Sequence, residues 1–254
     1  MSAALSVLIT ARDEEAMLSG ALTSVAGVAA ETVVVVDPRS TDNTRAVAAA
    51  AGARVLEHAF ESSAAQCNWG MGQCRNDWVF VLDADERMTV RLAGAVAGAI
   101  ANPAAAALAV RRANFAFGRR VHFGDWGQDW IVRLLDRRAA CFGECAVHGA
   151  VVAASVGQVA GELHHMTLRS LRQYLPKLHD YARRGAEDIV ASGRRATPCR
   201  ALGHGSWRFA RAFLLRLGFL DRGVGLIVAG LAAYGSFLKW AMAWEATTRP
   251  APRP

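Results

Sequence analysis

The chain has 254 residues, 53% hydrophobic and 20% charged, with 23 Gly, 5 Cys and a formal net charge of +7. That length can bury the core of one domain, or of a domain with an appendage, and the composition excludes disordered, collagen-like and disulfide-scaffold classes. The charge is uneven: residues 1–168 carry −3 and residues 169–254 carry +10, so an anionic partner would meet the C-terminal third.

In chain order, residues 5–10 (LSVLIT), 32–36 (TVVVV), 78–82 (WVFVL) and 106–110 read as short apolar strands. Ala-rich stretches of helical length separate them, at about 14–29, 42–51, 64–75 and 89–101, and Thr41-Asp42-Asn43 offers an N-cap to the second. Continuous apolar strands alternating with helices predict an α/β fold with a mostly parallel sheet covered on both faces. The five cysteines have no regular spacing, and the first dozen residues lack a basic n-region and a small-residue cleavage site. Reduced cytosolic thiols are the plain expectation. Cys141, Cys145 and His148 have metal-like spacing, but no fourth ligand is evident.

In parallel sheets ligands bind beyond the carboxyl ends of the strands. Here each of the first three apolar strands runs into acid: Ala11-Arg12-Asp13-Glu14-Glu15, then Asp37-Pro38-Arg39-Ser40-Thr41-Asp42, then Asp83-Ala84-Asp85-Glu86. One such carboxylate is commonly a cap; three clusters on one edge read as a site. Neither G-x-G-x-x-G after the first strand nor a P-loop is present, which removes most support for dinucleotide dehydrogenases and P-loop nucleotidases. Asp83-x-Asp85 suits an oxygen-coordinated divalent ion, Mg²⁺ or Mn²⁺, able to offset diphosphate charge.

Taken together, LSVLITARDEE, TVVVVDPRSTDNT, QCNWGMGQCRNDWVFVLDADE, RLLDRR, VHG, GELHHMT and GFLDRGVG resemble inverting family 2 glycosyltransferases of the GT-A fold. The closest likeness is to the branch that includes lipopolysaccharide core glucosyltransferases. The resemblance implies a nucleotide diphosphate sugar donor held by Thr10, Ala11, Arg12, Glu14, Asp37, Ser40, Asn68, Asp83 and Ala84. It implies a metal on Asp85, with His165 completing the shell or touching phosphate. Arg112, Arg133 and His148 are then expected on the acceptor or phosphate side. Members of the branch commonly carry His-Glu where this chain has His148-Gly149, so one candidate base is absent. Asp129 becomes the lead catalytic base, followed by Asp125 and Glu144. The product expected of an α-linked donor is a β linkage. A catalytically impaired nucleotide- or glycan-binding scaffold is the alternative that Gly149 favours. A nucleotidyltransferase shares the sheet and the metal, but only Arg12 supplies a basic group after the first strand.

Arg111, Arg112, Arg119 and Arg120 surround Asn114-Phe115-Ala116-Phe117, as an anionic-acceptor contact or a solvated strand-and-turn edge. Trp126 and Trp130 could stack on a sugar, although core packing explains Trp130 equally well.

Residues 169–222 hold 12 basic and 4 acidic side chains, with Phe209, Phe213, Leu217 and Leu220 at helical spacing among arginines. Residues 223–238 then run free of charge for 16 positions, short of a spanning helix. The pattern predicts a catalytic domain over 1–168, a helical extension over 169–246 and a disordered tail over 247–254. A basic amphipathic helix favours peripheral association with the anionic inner face of the cytoplasmic membrane, as an interfacial helical hairpin, over a helix packed on the catalytic domain or a single marginal span, and no motif supports nucleic-acid binding.

Overall fold

The computed structural model describes residues 3–127, 129–143 and 150–248. It divides into two compact units, one of Met1–Arg112 with Trp130–His165, the other of Ala113–Asp129 with Met166–Pro254.

In the first unit, β1 (Ala3–Ala11), β2 (Ala29–Val36), β3 (Arg54–Glu57) and β4 (Trp78–Asp83) are parallel neighbours in the order β3-β2-β1-β4. The sheet continues through β8 (Asp129–Asp136), β6 (Ala107–Ala116), β11 (Val156–Leu168) and β5 (Glu86–Met88). β8 runs antiparallel to β4, and β5 antiparallel to β11, so the sheet is mixed rather than simply parallel. A two-stranded sheet joins β9 (Ala140–Phe142) and β10 (Val151–Ala153).

Alternation along the apolar strands fills both faces. Leu5, Val7, Ile9, Val34, Val36, Phe80 and Leu82 pack with Leu18 and Leu22 of α1 (Glu15–Val25), Ala48 of α2 (Thr44–Ala50), and Leu92 and Val96 of α4 (Val90–Ala101). The intervening Leu8, Val33, Val35, Val79 and Val81 pack with Cys67 and Met71 of α3 (Ser63–Gln73). Burial on two faces is why these strands read as continuous apolar runs. Burial also pushes the thiols of Cys67 and Cys74 up to about 12 and about 11, which keeps them inert.

In the second unit, β6 turns through Phe117-Gly118, both at positive φ (52° and 73°), into β7 (Arg119–Arg120). That is hairpin geometry, with glycine at a position its missing Cβ makes easy. Three helices follow: α5 (Leu171–Ala191), α6 (Pro198–Ala210) and α7 (Arg222–Thr248). Ser170 and Thr197 cap α5 and α6 through their hydroxyls, and Pro198 takes the first turn of α6. Ala186, Ile189, Ala201, Trp240 and Ala243 form their shared core. The amphipathic helix expected through residues 208–222 is broken. A π turn (Arg211–Leu215) leads to Leu217 at φ 59°, then to a 3-10 turn (Gly218–Asp221). The apolar stretch is also longer than its charge-free run: Gly218–Thr248 is long and apolar enough to cross a membrane by length and composition, and 22% of its most apolar window is buried.

Candidate functional site

Strand register brings the acidic clusters level. Thr10 stands opposite Val35 on one side and Asp83 on the other, and Ala11 opposite Val36. The Asp37 amide continues the ladder by donating to the Ala11 carbonyl at 3.1 Å. Asp37 and Asp83 therefore emerge at one edge, on either side of β1.

The first two loops are stitched together. The Asp13 amide donates to Ser40 Oγ at 3.0 Å, and the Asp13 carboxylate accepts from the Thr41 amide at 2.7 Å, which lowers its pKa. The Glu14 amide donates to Thr44 Oγ1 at 2.8 Å, and the Glu15 amide to Asp42 at 2.9 Å. Ser40, expected at the donor, is a buried loop fastener. Arg12 is half-exposed, 3.7 Å from Asp13.

Asp37 is buried, and its carboxylate grips Arg39. Oδ1 accepts from Arg39 Nε and from the Arg39 amide, each at 3.0 Å, while Oδ2 accepts from Nη2 at 2.6 Å. These bonds hold its pKa at about 2.

At the third cluster an ion network was not foreseen. Glu86 is fully buried, accepting from the Asp83 amide at 3.0 Å and from Arg133 Nη2 at 2.7 Å. The same Nη2 donates to Asp83 Oδ2, and Arg112 Nη1 lies 3.6 Å from Glu86. Burial raises the Glu86 pKa against the pull of Arg133. Burial opposes the charge of Arg133, yet Asp83 and Glu86 hold its pKa above the ordinary value. Arg133 is therefore not an outward acceptor contact: it is 5% exposed, and its charge is committed to two carboxylates. Arg112 also turns to Glu86. Ala84 is buried in the turn, its carbonyl accepting from Arg87 Nη1 at 2.9 Å.

One residue further, Asp85 Oδ2 lies 3.4 Å from His165 Nε2, with side-chain exposures of 26% and 13%. A carboxylate oxygen and an imidazole nitrogen at this spacing fit a single Mn²⁺ or Mg²⁺. Among the described residues no three His, Cys, Asp or Glu side chains form a metal-holding group.

Asn68 is not placed for a nucleotide base. Its amide pairs twice with the Phe142 backbone, donating to the carbonyl at 2.8 Å and accepting from the amide at 2.9 Å. In the second unit, Asp125 is an arginine anchor rather than a base, with Arg216 at 2.7 Å and Arg208 at 2.9 Å. Asp129 Oδ2 accepts from Asn114 Nδ2 at 3.3 Å, and Asn114 is itself fixed by the Trp126 carbonyl and Thr167. Of the two tryptophans, Trp126 packs edge-on to Tyr174, and Trp130 is 47% exposed, which removes the core-packing account of it. Glu144, Cys145 and His148 lie outside the described residues.

A parallel half-sheet with carboxylates at its edge, and an aspartate–histidine pair beside them, defines an α/β fold with an acidic edge site. Residues 6–154, more than half of the chain, match glycosyl transferase family 2, and the chain belongs to that family. It is 25% identical over 252 residues to an uncharacterised glycosyltransferase of Rickettsia felis, covering 93% of this chain and 88% of that protein. To one of Rickettsia typhi it is 26% identical over 253 residues, covering 93% and 85%. Among solved structures it is similar to glucosyl-3-phosphoglycerate synthase from Mycobacterium tuberculosis, in complex with Mn²⁺, UDP-glucose and phosphoglyceric acid. The TM-score is 0.50 at 17% identity, over 76% of this chain and 81% of that one. That likeness is one of fold, GT-A. The enzyme is a glycosyltransferase.

Proposed function

We propose that the enzyme moves a hexosyl group, with inversion, from a uridine diphosphate sugar to a lipid-linked or envelope glycan such as lipopolysaccharide core. The same reading sets it peripherally on the inner face of the cytoplasmic membrane. The observation that carries the donor half is the Asp85–His165 pair, 3.4 Å apart, beside Asp83 at the edge shared with Asp37. The solved structure of similar fold binds UDP-glucose and Mn²⁺, which makes that pair of ligands the first choice.

Asp85 and His165 would hold the divalent ion, whose charge offsets that developing on the leaving diphosphate. The chain's own residues do the rest. Asp37 orients the nucleoside end, sharing its carboxylate with Arg39. Arg133 keeps Asp83 fixed from below, and so limits the positions open to the donor phosphates. Asp129, oriented by Asn114, takes the proton of the acceptor hydroxyl.

Purified enzyme, UDP-glucose, Mn²⁺ and a lipid-linked glycan extract should release UDP only when the extract is present, and NMR of the product should show a β linkage. Turnover of no UDP-hexose with any such extract overturns the reading.

A further inference from the structure

We propose that the 3-10 turn Gly218–Asp221 and the basic pocket beside it dock the phosphate group of an anionic membrane lipid. The inference rests on the membrane part of the reading above and adds the element that makes the contact.

A cavity of about 420 Å³ is lined by Arg119, Arg120, His122, Leu220, Asp221 and Arg222. One oxygen of its carboxylate, Asp221 Oδ2, accepts from the His122 amide at 3.0 Å and the Phe123 amide at 2.9 Å, joining the turn to the segment after β7. The guanidinium groups of Arg119 and Arg222 line the rest of it with Arg120 between them in the wall, and the N-terminus of the 27-residue α7 opens at Arg222. Guanidinium forks suit phosphate oxygens, and the helix end adds to the positive potential.

The turn and the π turn before it present apolar bulk to water. Leu214, Leu215, Leu217, Phe219 and Leu220 are 55%, 65%, 44%, 44% and 49% exposed. This is not the exposure of a slack loop. Leu217 and Arg222, at φ 59° and 55°, bracket the turn in a conformation that side chains rarely adopt. A Cβ on Gly225 would stand 1.8 Å from the Gly218 carbonyl oxygen, so the turn lies hard against α7. Backbone strain held rigidly, together with five unburied apolar side chains, marks an interaction surface.

Charge chooses the occupant. Arg211 and Arg222 flank the apolar turn, Arg216 being tied to Asp125, and Leu220 belongs to both the turn and the basic pocket. Apolar residues ringed by arginines match the boundary between acyl chains and anionic headgroups. The turn enters the acyl region and the pocket takes the phosphate.

The test is co-sedimentation of the full chain with vesicles of phosphatidylcholine alone and of phosphatidylcholine mixed equally with phosphatidic acid. The wild type should sediment with the second and not the first, and inorganic phosphate at millimolar concentration should not release it. Arg222→Gly, which suits the positive φ, should weaken binding roughly five-fold, and Arg119→Ala with Arg222→Gly more than ten-fold. Leu215→Ser with Phe219→Ser should weaken it comparably. Unchanged thermal midpoints and UDP affinity show that each variant is folded. Binding that ignores the arginines overturns the pocket while leaving the membrane reading intact. Release by inorganic phosphate assigns the pocket to a free phosphate and overturns the lipid. Absence of binding to either vesicle overturns both the inference and the membrane reading, without touching the sugar-transfer reading.

Discussion

Arg133 and Glu86 meet at 2.7 Å with both side chains buried, although 47 residues separate them in sequence. The pair fixes the backbone and side chain of Asp83, because Glu86 also accepts from the Asp83 amide and Arg133 also donates to its carboxylate. A buried charge left without its partner is expensive. Arg133→Met should therefore destabilise the chain by about 3–5 kcal/mol in urea unfolding, and a loss below about 1 kcal/mol would show that the pair is not what holds this edge.

Asp37 predicts an acid limit. Its carboxyl is held at about 2 by Arg39, below the ordinary value of about 3.9. A depressed pKa contributes stability that is complete above about pH 4 and is lost as pH falls toward about 2. Arg39→Ala should flatten this part of the stability profile, read as unfolding midpoints at about pH 6 and about pH 3. Parallel profiles for variant and wild type would contradict the assignment.

Asn68 separates a structural role from a ligand role. Asn68→Leu leaves the Phe142 amide and carbonyl without their partners. The expected cost is about 1–3 kcal/mol of stability, with UDP affinity unchanged within about two-fold. A large loss of UDP affinity in a variant of normal stability would return Asn68 to the donor site.

As the proposed base, Asp129 would bear on the acceptor step alone. Asp129→Asn should keep donor binding while lowering kcat by about 10²–10⁴-fold. Full turnover in that variant would move the base elsewhere.

Much of the first unit was legible because β1, β2 and β4 are buried on both faces, which writes them as unbroken apolar runs. β3 and β5 were missed for the opposite reason: RVLE and ERM are short and carry charge. In β5 the glutamate looks like one more solvated acid after Asp83-x-Asp85, and only Arg133, from a distant strand, makes it a buried one. No local pattern could announce that pairing. β11 was hidden by its small and polar residues, VGQVAGELHHMTL. The break at residues 211–221 was equally invisible, since Phe209, Phe213, Leu217 and Leu220 keep helical spacing through backbone that is not one helix. At the site, residue type and edge position single out Asp37, Asp83 and Asp85, and the structure sets Asp37 and Asp83 on either side of β1 at one edge. What no local pattern shows is that Ser40, Asn68, Asp125 and Arg133 are held by partners from other loops, strands and helices.

The central claim is that Asp85 anchors a metal-dependent donor site, and calorimetric titration of UDP tests it most directly. With Mn²⁺ the wild type should bind UDP, and chelator should abolish the heat. Asp85→Ala should bind no UDP with or without Mn²⁺, while keeping the wild-type unfolding midpoint. UDP binding that survives both chelator and the Asp85→Ala substitution would contradict the account.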